Sequence, residues 1–473
     1  MPALRYASPE KGGWRMNRIM GRARLLLVLV LILALGTSFF VGEYFIGSGK
    51  WILFSGSPHV YNAGNIGCGV VADREGVLLL DLRNNRTYAQ NDTLRSATLH
   101  WLGDRKGSIS APALSHYASE LIGFDPIGGV YAYGGVGGQA TMTLSATVQM
   151  AALEAMGDYK GTVAVYNYKT GEILCAVTTP TYDPDNIPDF ASDANGAYSG
   201  VYVNRFIQSA YTPGSIFKIV TVAAALETMP EIQNQTFTCT GTVEYGVDTV
   251  TCEQAHGTLT FQEAFAKSCN CSFAQIAGIL GKDVLQRYVS QFGITESLSF
   301  DGITTASGNV ELSAAAPVQL AWSAIGQHKD LINPCRYMSF IGAIATGGTG
   351  VKPHLISQIK VGGSVTYQAK PQSDGRIMSS ETAAILQEYL RNNVENYYGD
   401  DSFPGLTVCA KSGTAEVGGG KKPNAMFTGF VADEEYPLAF IAAIEDGGYG
   451  RPVCVPILSK VLTACKEAMD NHS

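Results

Sequence analysis

Leu25 to Gly42 is an uncharged run dominated by Leu, Val and Ile. Eighteen such residues on a helix rise about 27 Å, close to the hydrocarbon thickness of a bilayer, and Glu43-Tyr44-Phe45 supplies an interfacial flank. Ala34-Leu35-Gly36 would pass as a signal-cleavage site. The apolar run continues beyond it through Phe39, Phe40 and Val41, which favours an uncleaved anchor over residues 25–46. Arg5, Lys11, Arg15, Arg18, Arg22 and Arg24 precede the run against the single acid Glu10. The positive-inside rule therefore assigns residues 1–24 to the cytoplasm and everything after about residue 45 to the outside.

Residues 47–140 carry short strands and turns, of which Val77 to Leu82 is the clearest, and no catalytic constellation. They read as a small pedestal module. From residue 141 the pattern is regular. Thr147 to Met156 has helical spacing, and GTVAVYNY faces EILCAVTT across Lys169-Thr170-Gly171 as a hairpin. A helix is expected from Ser215 to Met229 after the break at Pro213-Gly214, and Thr260-Phe261-Gln262-Glu263 fits a capping box opening another. Further helices are expected at 313–325, 334–346 and 380–397. Apolar strands are expected near 405–415, 425–432 and 437–445, and a closing helix from about Pro456. Two early strands, three late ones and helices between predict an α+β domain over 141–473. It would hold one antiparallel sheet, with its first and last helices on one face.

The chain has 473 residues, 46% of them hydrophobic, enough for a large domain and a smaller one. A net charge of -8 excludes a nucleic-acid partner held through phosphate neutralisation. Ten cysteines are many for an exported chain. Cys239 and Cys252 flank a hairpin-like stretch and either pair or remain buried thiols. Cys269 and Cys271 form a C-x-C. With no two further ligands at workable spacing nearby, no metal and no cofactor is assigned.

Ser215-Ile216-Phe217-Lys218 is an S-x-x-K. Two others occur, at Ser8 and Ser357. Ser8 falls in the basic tail, and Ser357 in an expected strand, where i and i+3 point to opposite faces. At a helix start i and i+3 share a face, so the Lys218 amine can take the Ser215 proton while the helix N-terminus favours the developing oxyanion. Such an amine must be neutral, which calls for burial and cationic neighbours. Ser268-Cys269-Asn270 is an S-x-N 53 residues further on, and Lys411-Ser412-Gly413-Thr414 lies in the first late strand. The competing Ser307-Gly308-Asn309 and Lys169-Thr170-Gly171 read as turns. The glycine at 413 is expected where a substrate backbone lies against the strand.

In the order S-x-x-K, S-x-N, K-S-G-T, these motifs resemble the signature of penicillin-binding proteins and serine β-lactamases. Asn204-Arg205, Tyr211 to Gly214, Ile325-Gly326-Gln327, Thr346-Gly347-Gly348 and KSGTAE followed by FTGFVADEEYPLAFIAAIE are similar to class B penicillin-binding proteins. The resemblance covers roughly 141–465, and 47–140 only as a shortened N-terminal module. It implies a transpeptidase domain like that of serine β-lactamases, a helix-flanked antiparallel sheet, beside a β-rich pedestal and one transmembrane helix. Ser215 would attack the D-alanyl-D-alanine carbonyl of a stem peptide, with Lys218 as base. Ser268 would relay the proton, Asn270 would hold the substrate amide, and Lys411 would support the proton network. Ser412 and Thr414, with Gly413 between them, would bind the terminal carboxylate, and the Ser215 and Thr414 N–H groups would form the oxyanion hole. An amine from a second stem peptide would release the acyl group as a cross-link. The partners so implied are stem peptides, β-lactams, the membrane and a separate glycosyltransferase or wall-synthesis complex. A D,D-carboxypeptidase or β-lactamase on the same residues, or an inactive scaffold, is the alternative. The anchor and the intact motif residues argue for the transpeptidase.

Overall fold

A computed structural model describes residues 11–471, apart from 55–56, 58–59, 63–64, 84–85, 130 and 132–136. The start of the basic tail, including Ser8, lies outside the described residues. A single helix runs Lys11–Trp51. Its apolar stretch is long enough to cross a membrane, and none of it is buried against the rest of the protein. Near the end of the expected anchor, in its interfacial flank, Tyr44 donates to the Pro126 carbonyl at 2.8 Å, tying this helix to the pedestal.

The pedestal centres on a six-stranded sheet in the order 364–368, 356–361, 138–142, 70–72, 78–81, 87–88. The strand Gly138–Met142 spans the sequence boundary at 140 and pairs in parallel with Val70–Ala72. Its other edge takes Ile356–Val361 from far along the chain. Pedestal and catalytic region therefore share a sheet, and their cores are continuous through Val71, Ala140, Met142 and Ile359. Ser357 lies in that sheet, in the expected strand, and its hydroxyl donates to the Thr141 carbonyl at 3.0 Å.

The second sheet has five antiparallel strands ordered 408–415, 424–431, 438–445, 160–167, 173–179. The early hairpin and the three late strands are those expected. In the K-T-G turn, Asn167 Oδ1 accepts from the Lys169 and Thr170 amides, so that triplet is turn chemistry. Ala146–Met156 and Gly450–Asp470 cover one face together, with Val148, Ala152 and Met156 in one core with Leu458, Val461 and Leu462. The closing helix starts six residues before Pro456, which lies inside it. Cys454, Val455, Ile457 and Leu458 are buried on both sides of the proline. That apolar stripe sustains the helix despite the missing N–H.

The Thr260 capping box is present, with Thr260 Oγ1 accepting from the Glu263 amide at 3.2 Å and Glu263 accepting from the Thr260 amide at 2.9 Å. Thr260→Ala is expected to destabilise the chain by about 1 kcal/mol, read from the midpoint of denaturant unfolding.

Candidate active site

The S-x-x-K motif is not a simple helix start. Residues 214–217 form a 3-10 turn, and the α-helix proper begins at Lys218. Gly214 explains the tighter turn. Its φ is +55°, and a Cβ there would lie 2.4 Å from the Thr414 carbonyl oxygen. The turn is pressed against the K-S-G-T strand, and only glycine allows the approach. Gly214 also donates to the Gly326 carbonyl at 2.8 Å, which accounts for the Ile325-Gly326-Gln327 segment. Arg205 and Tyr211, upstream, both reach Glu445 Oε1, at 2.8 and 3.0 Å. They fasten the approach to Ser215 onto the end of the sheet.

Gly413 serves a purpose that its sequence context did not suggest. A Cβ there would lie 3.0 Å from Ile216 Cγ2 and from the Pro213 carbonyl oxygen. The missing side chain leaves room for the 214–217 turn rather than for substrate backbone alone. Gly413→Ala is expected to slow the first-order acylation step on the order of tenfold by displacing Ser215, with the apparent affinity for a β-lactam little changed. A reaction time course at varied β-lactam concentration separates the two. An effect confined to affinity would restore the substrate-backbone explanation.

The three motifs converge. Lys218 Nζ lies 2.6 Å from the Ser268 carbonyl oxygen, 3.0 Å from Ser268 Oγ and 2.8 Å from Asn270 Oδ1. Ser268 takes a left-handed φ of +54°, which turns the S-x-N loop toward the amine. Asn270 opens the next helix, Asn270–Leu280, and its Nδ2 donates to the Thr251 carbonyl at 2.9 Å. Lys411 Nζ donates to the Ser412 carbonyl at 2.9 Å. Both lysines are fully buried, with Lys218 over the Phe273 ring and Lys411 over that of Phe265.

Burial pulls the Lys218 amine well below its ordinary value, and the Lys411 charge pulls the same way. Burial likewise lowers Lys411, to about 7, against a raising influence from Glu253. A neutral Lys218 satisfies all three of its contacts. Its two N–H bonds are shared among the Ser268 carbonyl, Ser268 Oγ and Asn270 Oδ1, all acceptors of the amine, and its lone pair remains for an incoming proton.

These groups open onto a cleft of about 1290 Å³ that Ser215, Ser268, Asn270, Lys411, Ser412, Gly413 and Thr414 all line. Ser307 and Asn309 are not among its lining residues. Asn309 instead forms an isolated antiparallel bridge with Leu331, so this stretch is extended rather than the expected turn. Tyr398 was not singled out from sequence. Its hydroxyl lies 3.0 Å from Ser412 Oγ and accepts from the Ser412 amide at 3.1 Å, orienting a carboxylate-binding candidate. It ends a wide turn after the helix Ser380–Asn393, where no motif marks it.

The cysteines also come together differently from their spacing. In sequence the C-x-C pair has no two further ligands at workable spacing, so no metal is expected there. The fold brings Cys239, Cys252 and His256 to Cys269, with ligand atoms all within 4.8 Å of one another.

Residues 161–463 match the family model for the penicillin binding protein transpeptidase domain. The chain is 29% identical over 339 residues to the peptidoglycan D,D-transpeptidase PbpA of Mycolicibacterium smegmatis, covering 66% of this chain and 68% of that one. It is 29% identical over 319 residues to the stage V sporulation protein D of Bacillus subtilis, covering 64% and 48%. Among solved structures, it resembles the D,D-transpeptidase domain of a peptidoglycan glycosyltransferase from Eggerthella lenta (TM-score 0.72, 27% identity, 85% of this chain and 98% of that). The fold is also that of penicillin-binding protein A from M. tuberculosis in a penicillin G acyl-enzyme complex (TM-score 0.72, 24% identity, 85% and 99%).

Proposed function

The chain belongs to the penicillin-binding-protein transpeptidase family, and we propose that it cross-links peptidoglycan stem peptides through an acyl-enzyme on Ser215. The observation that carries this reading is the buried amine of Lys218 held against Ser268 and Asn270 at the floor of a cleft that Ser215 lines. Lys218 takes the Ser215 proton, and Ser215 Oγ attacks the carbonyl between the terminal D-alanines. The Ser215 and Thr414 N–H groups stabilise the oxyanion, and Ser412 and Thr414 receive the terminal carboxylate. Ser268 passes the proton to the departing D-alanine, and Lys411 steadies that network. An amine of a second stem peptide then attacks the ester and regenerates Ser215. A β-lactam forms the same ester.

The test is partition of the acyl-enzyme. Full-length chain, a stem pentapeptide donor and an amine acceptor are expected to yield D-alanine and a cross-linked product, with transfer outrunning hydrolysis. Dominant hydrolysis would make it a carboxypeptidase or β-lactamase instead. The Lys11–Trp51 helix supports a single-pass anchor with the catalytic domain outside the cell. Protease added to intact spheroplasts should remove the catalytic domain and leave a small membrane-bound fragment. Protection of that domain would reverse the topology. A separate glycosyltransferase would supply the glycan strands, a role consistent with the likeness to a structure of a peptidoglycan synthase complex that couples polymerization and crosslinking.

A further inference from the structure

Within residues 236–260, Thr251 to His256 form a wall of the cleft that the K-S-G-T strand also lines. Thr236–Cys239 pairs with Gly257–Thr260, and the hairpin between them pairs Thr242–Tyr245 with Asp248–Thr251. Cys239 ends the first of these strands, and Cys252 and His256 lie on the segment returning to the last. Cys269 stands between Ser268 and Asn270 and caps the helix Asn270–Leu280. The fold draws these four side chains to one point. His256 Nδ1 lies 3.6 Å from Cys239 Sγ and 3.5 Å from Cys252 Sγ, and Cys252 Sγ lies 3.9 Å from Cys269 Sγ.

A tetrahedral zinc ion with Zn–S of about 2.3 Å and Zn–N of about 2.0–2.1 Å sets S···N edges of about 3.6 Å and S···S edges of about 3.8 Å. These three separations match those edges, and the remaining pairs lie within 4.8 Å. Cys269 Sγ further receives the Ser272 amide at 3.4 Å and the Ser272 hydroxyl at 3.2 Å, donors of the kind that stabilise a metal-bound thiolate. Cys239 and Cys269 are buried, while Cys252 and His256 are part-exposed at the cleft, which leaves a path for an ion to enter.

We propose that Cys239, Cys252, His256 and Cys269 bind one zinc ion. Four protein ligands fill a tetrahedral centre, so the ion has no open position for substrate and its role is structural. Binding converts three thiols to thiolates and releases their three protons, including the one Cys239 shares with the Gln254 carbonyl. The ion fastens the 239–256 segment to the turn that carries Ser268 and Asn270. The Asn270 hydrogen bond to Thr251 crosses the same junction and gains a rigid support.

Full-length chain purified in detergent without chelator or added metal is expected to contain one zinc per chain by mass spectrometry of the elements. After removal of zinc by a chelator, added Co²⁺ should give the visible bands and thiolate charge-transfer absorption of a tetrahedral site. Cys252→Ser and His256→Ala should each lose the zinc equivalent, whereas Cys271→Ser should keep it. The metal-free chain should react with a fluorescent penicillin about tenfold or more slowly, and zinc should restore the rate. A wild-type chain that holds no zinc and gives no thiolate band with Co²⁺ overturns the site, as does a mapped Cys239–Cys252 disulfide in the chain as isolated. Loss of zinc in Cys271→Ser overturns this ligand set. An acylation rate indifferent to metal removal overturns the fastening role.

Discussion

Ser215→Ala is expected to abolish covalent labelling by a fluorescent penicillin, with the chain still folded. The loss should be complete because the ester needs the Ser215 oxygen itself, and the lysines have no other hydroxyl in the right place to deprotonate. Ser268 is the nearest candidate, but its Oγ is engaged with Lys218 Nζ at 3.0 Å, and the proposed function gives it the proton relay instead. Ser357 is bound to Thr141 in the pedestal sheet and is not among the residues that line the cleft. Ser215 is only half-buried at the cleft floor. Removing its hydroxyl should therefore shift stability by no more than about 0.5 kcal/mol. In-gel fluorescence after denaturation reads the label, and thermal unfolding checks the fold. A labelled Ser215→Ala chain would move the nucleophile elsewhere, and peptide mapping would say where.

The parts of this site that sequence alone disclosed are those whose chemistry is local. Ser215 and Lys218 share a face because they are three residues apart, and the Thr260 capping box is complete within four residues. The early hairpin and late strands announce themselves by unbroken apolar runs, as suits strands covered on both faces. What stayed hidden depends on contacts between distant segments. Gly413 is required by Pro213 and Ile216, two hundred residues upstream, so only the packed turn reveals its purpose. Tyr398 reaches Ser412 from a wide helical turn with no motif of its own. The pedestal sheet takes strands from both sides of residue 140 and from 356–368, and short strands of that kind leave little periodicity to read. The Cys239, Cys252, His256 and Cys269 group spans thirty-one residues with spacings of no common zinc motif, and the hairpin between the first two closes the gap.

Lys218→Arg is expected to slow acylation by about 10²–10⁴-fold, the usual worth of a positioned general base. Arginine keeps a positive charge near Ser268 and Asn270 but stays protonated at any working pH, so it cannot accept the Ser215 proton. The pH profile makes the argument sharper. Burial and the Lys411 charge lower Lys218 from its ordinary value, so the neutral amine is the working form and the rate should rise with pH on the acid side. Lys411, lowered to about 7, gains its proton as pH falls through that value and then opposes protonation of Lys218. Lys411→Met removes that opposition. Its maximal rate should fall, and its acid limb should move to higher pH because Lys218 then protonates more readily. Stability should follow the same sign. Each depressed lysine leaves the folded chain with fewer protons than the unfolded one between its folded value and about 10.5. Wild-type stability therefore rises with pH across that window, from about 7 upward for Lys411. Lys411→Met should lose that rise in part. Stopped-flow acylation from pH 5 to 9 and denaturant melts from pH 6 to 10 test both halves. An acid limb unmoved in Lys411→Met would mean that the two amines do not sense each other, and near-wild-type acylation in Lys218→Arg would remove Lys218 from proton transfer.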